Sequence, residues 1–300
     1  HWKRARTVSA ACDFIKEEAM GPKFYTGLYP YMGAKGNDAE HYVELFRYVN
    51  AEGKQITRLV DTNFGAGNIV SASAGLFEER VSNDIDERIV TLARTVSNPE
   101  KREAVLYKLM KLEPSERVYK FCGDALKNKR PITETQRAVY IWYRFFYGFN
   151  GNGRDFSPHH RQESLLNRRD LLSTFDGVKV RNMDMVDLLL EEKENPEQMK
   201  TTMYYLDPPY LDNKAEYANN MTSEQEHQRL LEAIKDIPNI MISGYDSKLY
   251  QQILCEQYGF WKYEMGEKAI SMNMSLYGEE RKRKMECIWT SYPIKGAFMQ

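Results

Sequence analysis

A chain of 300 residues, 42% hydrophobic and 28% charged, is long enough to bury a large core, which excludes disorder and a disulfide-stapled mini-fold. No apolar run approaches the roughly 18 residues of a membrane span. His1-Trp2-Lys3-Arg4 carries no apolar leader, so a cytoplasmic protein that does not act at a membrane is expected. The net charge is only −1, yet residues 88–172 hold 17 Lys and Arg against 9 Asp and Glu, a local +8 that leaves −9 elsewhere. Such asymmetry hints at nucleic-acid contact, while the plain alternative is an unevenly charged helical surface.

Residues 38–50 space their apolar side chains as a helix does. Residues 56–61 read as a short buried strand. Gly65-Ala66-Gly67 follows, then a helix through 69–78 and a second strand at 80–84. Strand, glycine turn, helix, strand is the opening of a doubly wound α/β fold. From 88 to 138 the chain is rich in Lys, Arg, Leu and Glu with helical spacing. Residues 139–149 are densely aromatic, and Asn150–His160 has the composition of a turn. Strand signals resume at 178–181, 203–207, 239–243 and 285–290. A helix is expected near 223–236, with Thr222 and Gln225 as a capping box. The α/β core is therefore expected at 1–87 and 173–300, split by an insert at 88–172. The cysteines Cys12, Cys122, Cys255 and Cys287 are scattered singly, so buried thiols rather than a metal site are expected.

Asp207-Pro208-Pro209-Tyr210 directly follows an apolar strand. A strand end leading into a stiff turn places side chains at the carboxyl edge of the sheet, where α/β proteins bind ligands. Two prolines fix φ and remove two amide donors. What remains is a carboxylate, backbone carbonyls and a flat aromatic face. A carboxylate beside a carbonyl is a double acceptor suited to an exocyclic amine. The glycine turn lets a ligand approach the backbone, and Asp84 lies where an acid can bind ribose hydroxyls. Val70 stands where a dinucleotide fingerprint has its third glycine, which favours a ligand with ribose but no pyrophosphate. Tyr29–Gly36 is an aromatic, small-residue and lysine loop that would suit a cofactor lid. His227 reads as a surface or capping residue, and Arg281–Lys284 as a solvated basic run.

In this order (lysine loop, glycine turn, Asn83-Asp84-Ile85-Asp86, insert, D-P-P-Y, closing strand Glu286–Trp289) the chain resembles the Dam-type, D12-class DNA adenine-N6 methyltransferases. The resemblance implies a Rossmann-like methyltransferase sheet with an inserted, mainly helical DNA-recognition subdomain carrying a β-hairpin. It implies S-adenosylmethionine as cofactor, double-stranded DNA as partner and no metal. Tyr31, Gly33 and Lys35 match the family's cofactor contacts in the lysine loop, and Gly65 and Gly67 its glycine turn. Asp84 matches the cofactor-binding acid, and Asp184 falls where the family contacts the cofactor's adenine. Asp207 matches the catalytic and cofactor-adjacent acid, with Pro208, Pro209 and Tyr210 completing the catalytic string. Asn63 stands where the family usually has Phe, so Asp61 is a further cofactor candidate. Arg144, Tyr147, Asn150, Asn152 and Arg154 fit, in kind, the family's DNA-reading hairpin. A monomer with a cognate restriction endonuclease in the cell is expected. N4-cytosine enzymes more often carry Ser at the position of Asp207 and RNA adenine enzymes Asn; a catalytically silent relative would have no need of Asp207 and Lys35.

Overall fold

The five side chains of Thr202–Leu206 are all buried, as in a strand covered on both faces. Around it the chain builds a mixed α/β structure, seen in a computed structural model. The structure describes residues 6–7, 27–31, 34–36, 38–127, 131–151, 153–157, 169–211, 221, 223–269 and 283–294. Contacts divide the chain into two compact units. One comprises His1–Lys23, Leu45–Asn63 and Asp184–Gln300; the other comprises Phe24–Glu44 and Phe64–Met183. The helix α1 (Ala39–Ala51) runs from the second into the first.

The first unit holds strands β1 (Arg6–Thr7), β2 (Arg58–Asp61), β5 (Thr202–Leu206), β6 (Ile240–Tyr245), β7 (Trp261–Ala269) and β8 (Arg283–Thr290), in the order β1-β7-β8-β6-β5-β2. β2, β5 and β6 are parallel neighbours, with Asp61 beside Tyr205 and Leu206 beside Ile242. β8 enters antiparallel between β6 and β7. β7 had no counterpart in the sequence reading. The helix α10 (Glu224–Ile234) starts where expected. Its capping box is Ser223 with Glu226 rather than Thr222 with Gln225, because Ser223 Oγ is the group that accepts the Glu226 amide. Thr222 lies outside the described residues.

The second unit holds the parallel pair β3 (Glu79–Asn83) and β4 (Lys179–Arg181). Its helices are α2 (Asn68–Ala72), α3 (Glu87–Val96), α4 (Pro99–Leu109), α5 (Glu116–Lys127), α6 (Glu134–Phe146) and α7 (Arg169–Leu172). α2 is shorter than expected and gives way to turns that include Gly75 at φ 76°. The aromatic run, which could also have been a buried strand, is helical: Thr133 and Gln136 form a capping box for α6. Ala138, Val139, Ile141, Trp142, Tyr143, Phe145 and Phe146 are all buried, so the helix from Ala138 onward lies in the core, while its first turn is polar with Glu134 and Arg137 exposed.

The expected β-hairpin is reduced. After α6 a short 3-10 turn, Phe149–Gly151, leads, among the described residues, to a single antiparallel bridge between Gly148 and Phe156. The ladder goes no further on this side because α6 runs to Phe146 and is capped by Tyr147, directly before Gly148, while Gly151 (φ 67°) and Gly153 (φ 66°) supply the left-handed backbone of the turn. The unit boundaries on either side of these helices fall at 63/64 and 183/184. The physical reason is one continuous core: Phe64 and Val70 from the glycine turn pack in the same cluster as Leu92, Trp142, Phe146 and Phe175.

Candidate active site

In the second unit the glycine turn is held from several sides. Gly65 (φ 52°) and Gly67 (φ 77°) take left-handed backbone. A side chain on Gly67 would collide with the Phe64 and Phe175 rings, so glycine is required there by both space and conformation. The Tyr29 hydroxyl donates to the Gly65 carbonyl at 2.7 Å, and the Leu28 amide donates to the Ala66 carbonyl at 2.9 Å. Trp142 donates its indole N–H to the Leu28 carbonyl at 3.2 Å. The Tyr31 ring lies edge-on to Tyr29 and beside Gly65. Lys35 is buried at 7% exposure. Gly33 lies outside the described residues.

Asp84 follows β3. Its carboxylate accepts the Gly65 amide at 3.1 Å and the Asp86 amide at 2.9 Å. Burial pushes its pKa up to about 6, against the pull of those two amides. The loop that carries it is pinned to the end of β4: Asn182 donates its side-chain amide to the carbonyls of Asp84 and Ile85. Asn83 and Met183 exchange two further bonds. Ile85 is 43% exposed, an apolar side chain left in water beside an acid. It stood in the quoted motif, but nothing in its type marked it out.

In the first unit Asp207-Pro208-Pro209-Tyr210 leaves the end of β5, as expected. Ser243 on β6 donates its hydroxyl to Asp207 Oδ1 at 2.7 Å. Pro208 is buried. The Tyr210 hydroxyl donates to Glu286 Oε1 on β8 at 2.8 Å, and its ring meets Tyr245 edge-on at 4.7 Å. Asp61, at the end of β2, is buried and accepts the Asn63 amide at 3.2 Å. Asp184 caps α8 (Met185–Glu192) by accepting the Val186 and Asp187 amides, and faces Arg229 at 3.8 Å. Its carboxylate thus already serves the helix N-terminus. His227 is a fully buried residue of α10 rather than a surface or capping one. Its ring bonds the Tyr250 hydroxyl at 2.9 Å and the Met221 carbonyl at 3.1 Å, which satisfies both nitrogens.

The residues expected to read DNA divide. Arg144 donates to the carbonyls of Gly153, Tyr119 and Arg154, and its guanidinium lies 4.2 Å from the Tyr119 ring centre. Gly123 on α5 leaves the space it occupies. Tyr147 is buried at 1% exposure against Tyr143 and Phe146. These two side chains hold the turn together in this structure. Arg154 is exposed. Asn150 contributes its backbone to the 3-10 turn, and Asn152 lies outside the described residues. Phe149 at the tip is 51% exposed. Gly151 packs its Cα onto the Pro30 carbonyl, where any side chain would collide, so the turn abuts the lysine loop.

Among the described residues no cluster of His, Cys, Asp or Glu could hold a metal ion, and no helix is long and apolar enough to cross a membrane. No curated protein matches the chain. A family model, D12 class N6 adenine-specific DNA methyltransferase, matches residues 31–268.

Proposed function

This chain belongs to the D12 class N6 adenine-specific DNA methyltransferases, and on that premise we propose that it methylates a flipped-out adenine within a particular sequence of duplex DNA. The observation that carries the reading is the fixed acceptor at the end of β5, where Ser243 holds Asp207 beside the Pro208–Pro209 turn. Extrusion of the base brings its N6 to the enzyme. The Asp207 carboxylate and the Pro208 carbonyl accept its two hydrogens, which orients the amine and concentrates electron density on the nitrogen. Tyr210 stacks on the ring. The nitrogen sheds its proton after transfer, so Asp207 need not be a strong base, and much of the rate comes from positioning.

S-adenosylmethionine, when bound, supplies the methyl group. The residues present fit it: Asp84 can accept ribose hydroxyls, the exposed Ile85 can face an apolar ring, and the Gly65–Gly67 turn admits close approach. Tyr31, Gly33, Lys35, Asp61 and Asp184 complete the proposed set, Asp184 through whatever capacity its helix cap leaves. Residues 88–172 serve as the target-reading part, with Asn150, Asn152, Arg154 and Phe149 toward bases and surface lysines toward phosphates. The protein acts in the cytoplasm as a monomer, with a restriction endonuclease as its natural counterpart. Incubation with S-adenosylmethionine and a plasmid library, followed by modification-aware sequencing, tests the reading. N6-methyladenine should recur in one short sequence. Methylation scattered over all adenines, or none, would count against it.

A further inference from the structure

We propose that Glu286 is a positioning residue for methyl transfer, holding the Tyr210 ring in the orientation in which it receives the target base. The proposal rests on the stacking role given to Tyr210 above. β8 buries Cys287, Ile288 and Trp289, all apolar, and Glu286 beside them is buried too, at 5% exposure. A carboxylate taken out of water needs strong partners. Glu286 has the Tyr210 hydroxyl at 2.8 Å on one oxygen and the Lys268 ammonium at 3.8 Å from the other.

The strands around it are shaped to the same end. Across β7 the register slips: Glu264 pairs with Cys287 but Gly266 pairs with Glu286, so Met265 is an extra residue. Gly266 takes φ 114°, which a side chain would resist. A bulge of this kind re-aims the side chains at its site, and here it faces Glu286. On the other neighbour, β6, the residue opposite Glu286 is Tyr245, whose ring meets Tyr210 edge-on at an interplanar angle of 75°. Tyr210 is therefore gripped at its hydroxyl by β8 and along its ring by β6. A ring fixed in advance loses little freedom when a base arrives.

The test is a single-turnover methyl-transfer cycle on plasmid DNA at saturating S-adenosylmethionine, using Glu286→Ala, Tyr210→Phe and the double variant, with Glu286→Gln as the conservative change. Glu286→Ala and Tyr210→Phe should each slow transfer by about tenfold, the loss of one charge-assisted hydrogen bond. The double variant should be no slower than either. Glu286→Gln should recover most of the rate, because its amide oxygen still accepts the hydroxyl. Calorimetric affinity for S-adenosylhomocysteine should be unchanged throughout. Wild-type rates in Glu286→Ala or Tyr210→Phe, losses that multiply in the double variant, or Glu286→Gln as slow as Glu286→Ala would overturn the proposal. If Glu286→Ala fails to fold, the Tyr210→Phe and Glu286→Gln rates decide it. A wild-type protein that moves no methyl group overturns the underlying reading instead, and this proposal with it.

Discussion

Asp84 carries a proton balance that can be measured. Burial raises its pKa to about 6. In the unfolded chain it titrates near the ordinary carboxylate value of about 4. Between those values the folded state holds the proton and the unfolded state does not, so the unliganded protein loses stability as pH rises through that window. Acceptance of two ribose hydroxyls needs the ionised form, so cofactor affinity should rise over the same span. Calorimetric titration with S-adenosylhomocysteine should show affinity rising with pH up to about 6 and levelling off above it, and Asp84→Asn should flatten the profile. Loss of a charge-assisted pair of bonds in Asp84→Ala is worth about 1.5–3 kcal/mol, roughly a ten- to hundredfold rise in Kd. An unchanged Kd would place the ribose acid elsewhere, with Asp86 the first substitute. The places of Asp84 and Asp207 were legible because each sits in a short motif at a strand end. The segment Ser243–Asp246 resembles the family's region near the flipped base, but the contacts of Ser243 and Glu286 were not legible: their partners lie 36 and 76 residues away in sequence.

Among the elements, the turn after α6 separates what holds from what can reach. Arg144 satisfies three carbonyls and covers Tyr119. Arg144→Ala should therefore destabilise the fold by about 2–4 kcal/mol, since it leaves several acceptors unpaired. Denaturant unfolding would show it; unchanged stability with relaxed sequence discrimination would restore the base-reading role. Phe149→Ala should do the reverse. At 51% exposure it should shift stability by no more than about 0.5 kcal/mol. If its ring stacks in the gap left by the extruded base, DNA affinity should fall by about 1–3 kcal/mol. Equal binding by Phe149→Ala and wild type in fluorescence titrations would remove it from the interface. The strands at 58–61, 79–83 and 179–181 were legible because each carries a β-branched valine and runs into Asn and Asp, which signal a turn. α6 was ambiguous because aromatic and β-branched residues suit strands and buried helices alike, and its Thr133–Gln136 cap was the overlooked signal. The hairpin was over-read from Gly and Asn content, which marks a tight turn without specifying a ladder.

For the whole molecule, charge and family point to the same substrate. The +8 of residues 88–172 sits in a chain of net charge −1. If exposed lysines there meet phosphates, affinity for DNA should fall with salt, and Lys127→Ala should reduce the log–log slope by about 1 on target and non-target duplexes alike. An unchanged slope would take α5 out of the phosphate contacts. The order of motifs made the α/β class and the methyltransferase family readable. The contact units follow from a core that joins the glycine turn to the helices after it, and pattern along the chain cannot show which apolar faces share a core. The most direct test of the central claim is nucleoside mass spectrometry of DNA treated with S-adenosylmethionine and either wild-type protein or Asp207→Ala. Wild type should yield N6-methyladenine without N4-methylcytosine. The variant, with unchanged thermal unfolding, should yield neither. N4-methylcytosine as the product, or N6-methyladenine formed by Asp207→Ala at the wild-type rate, would contradict the account.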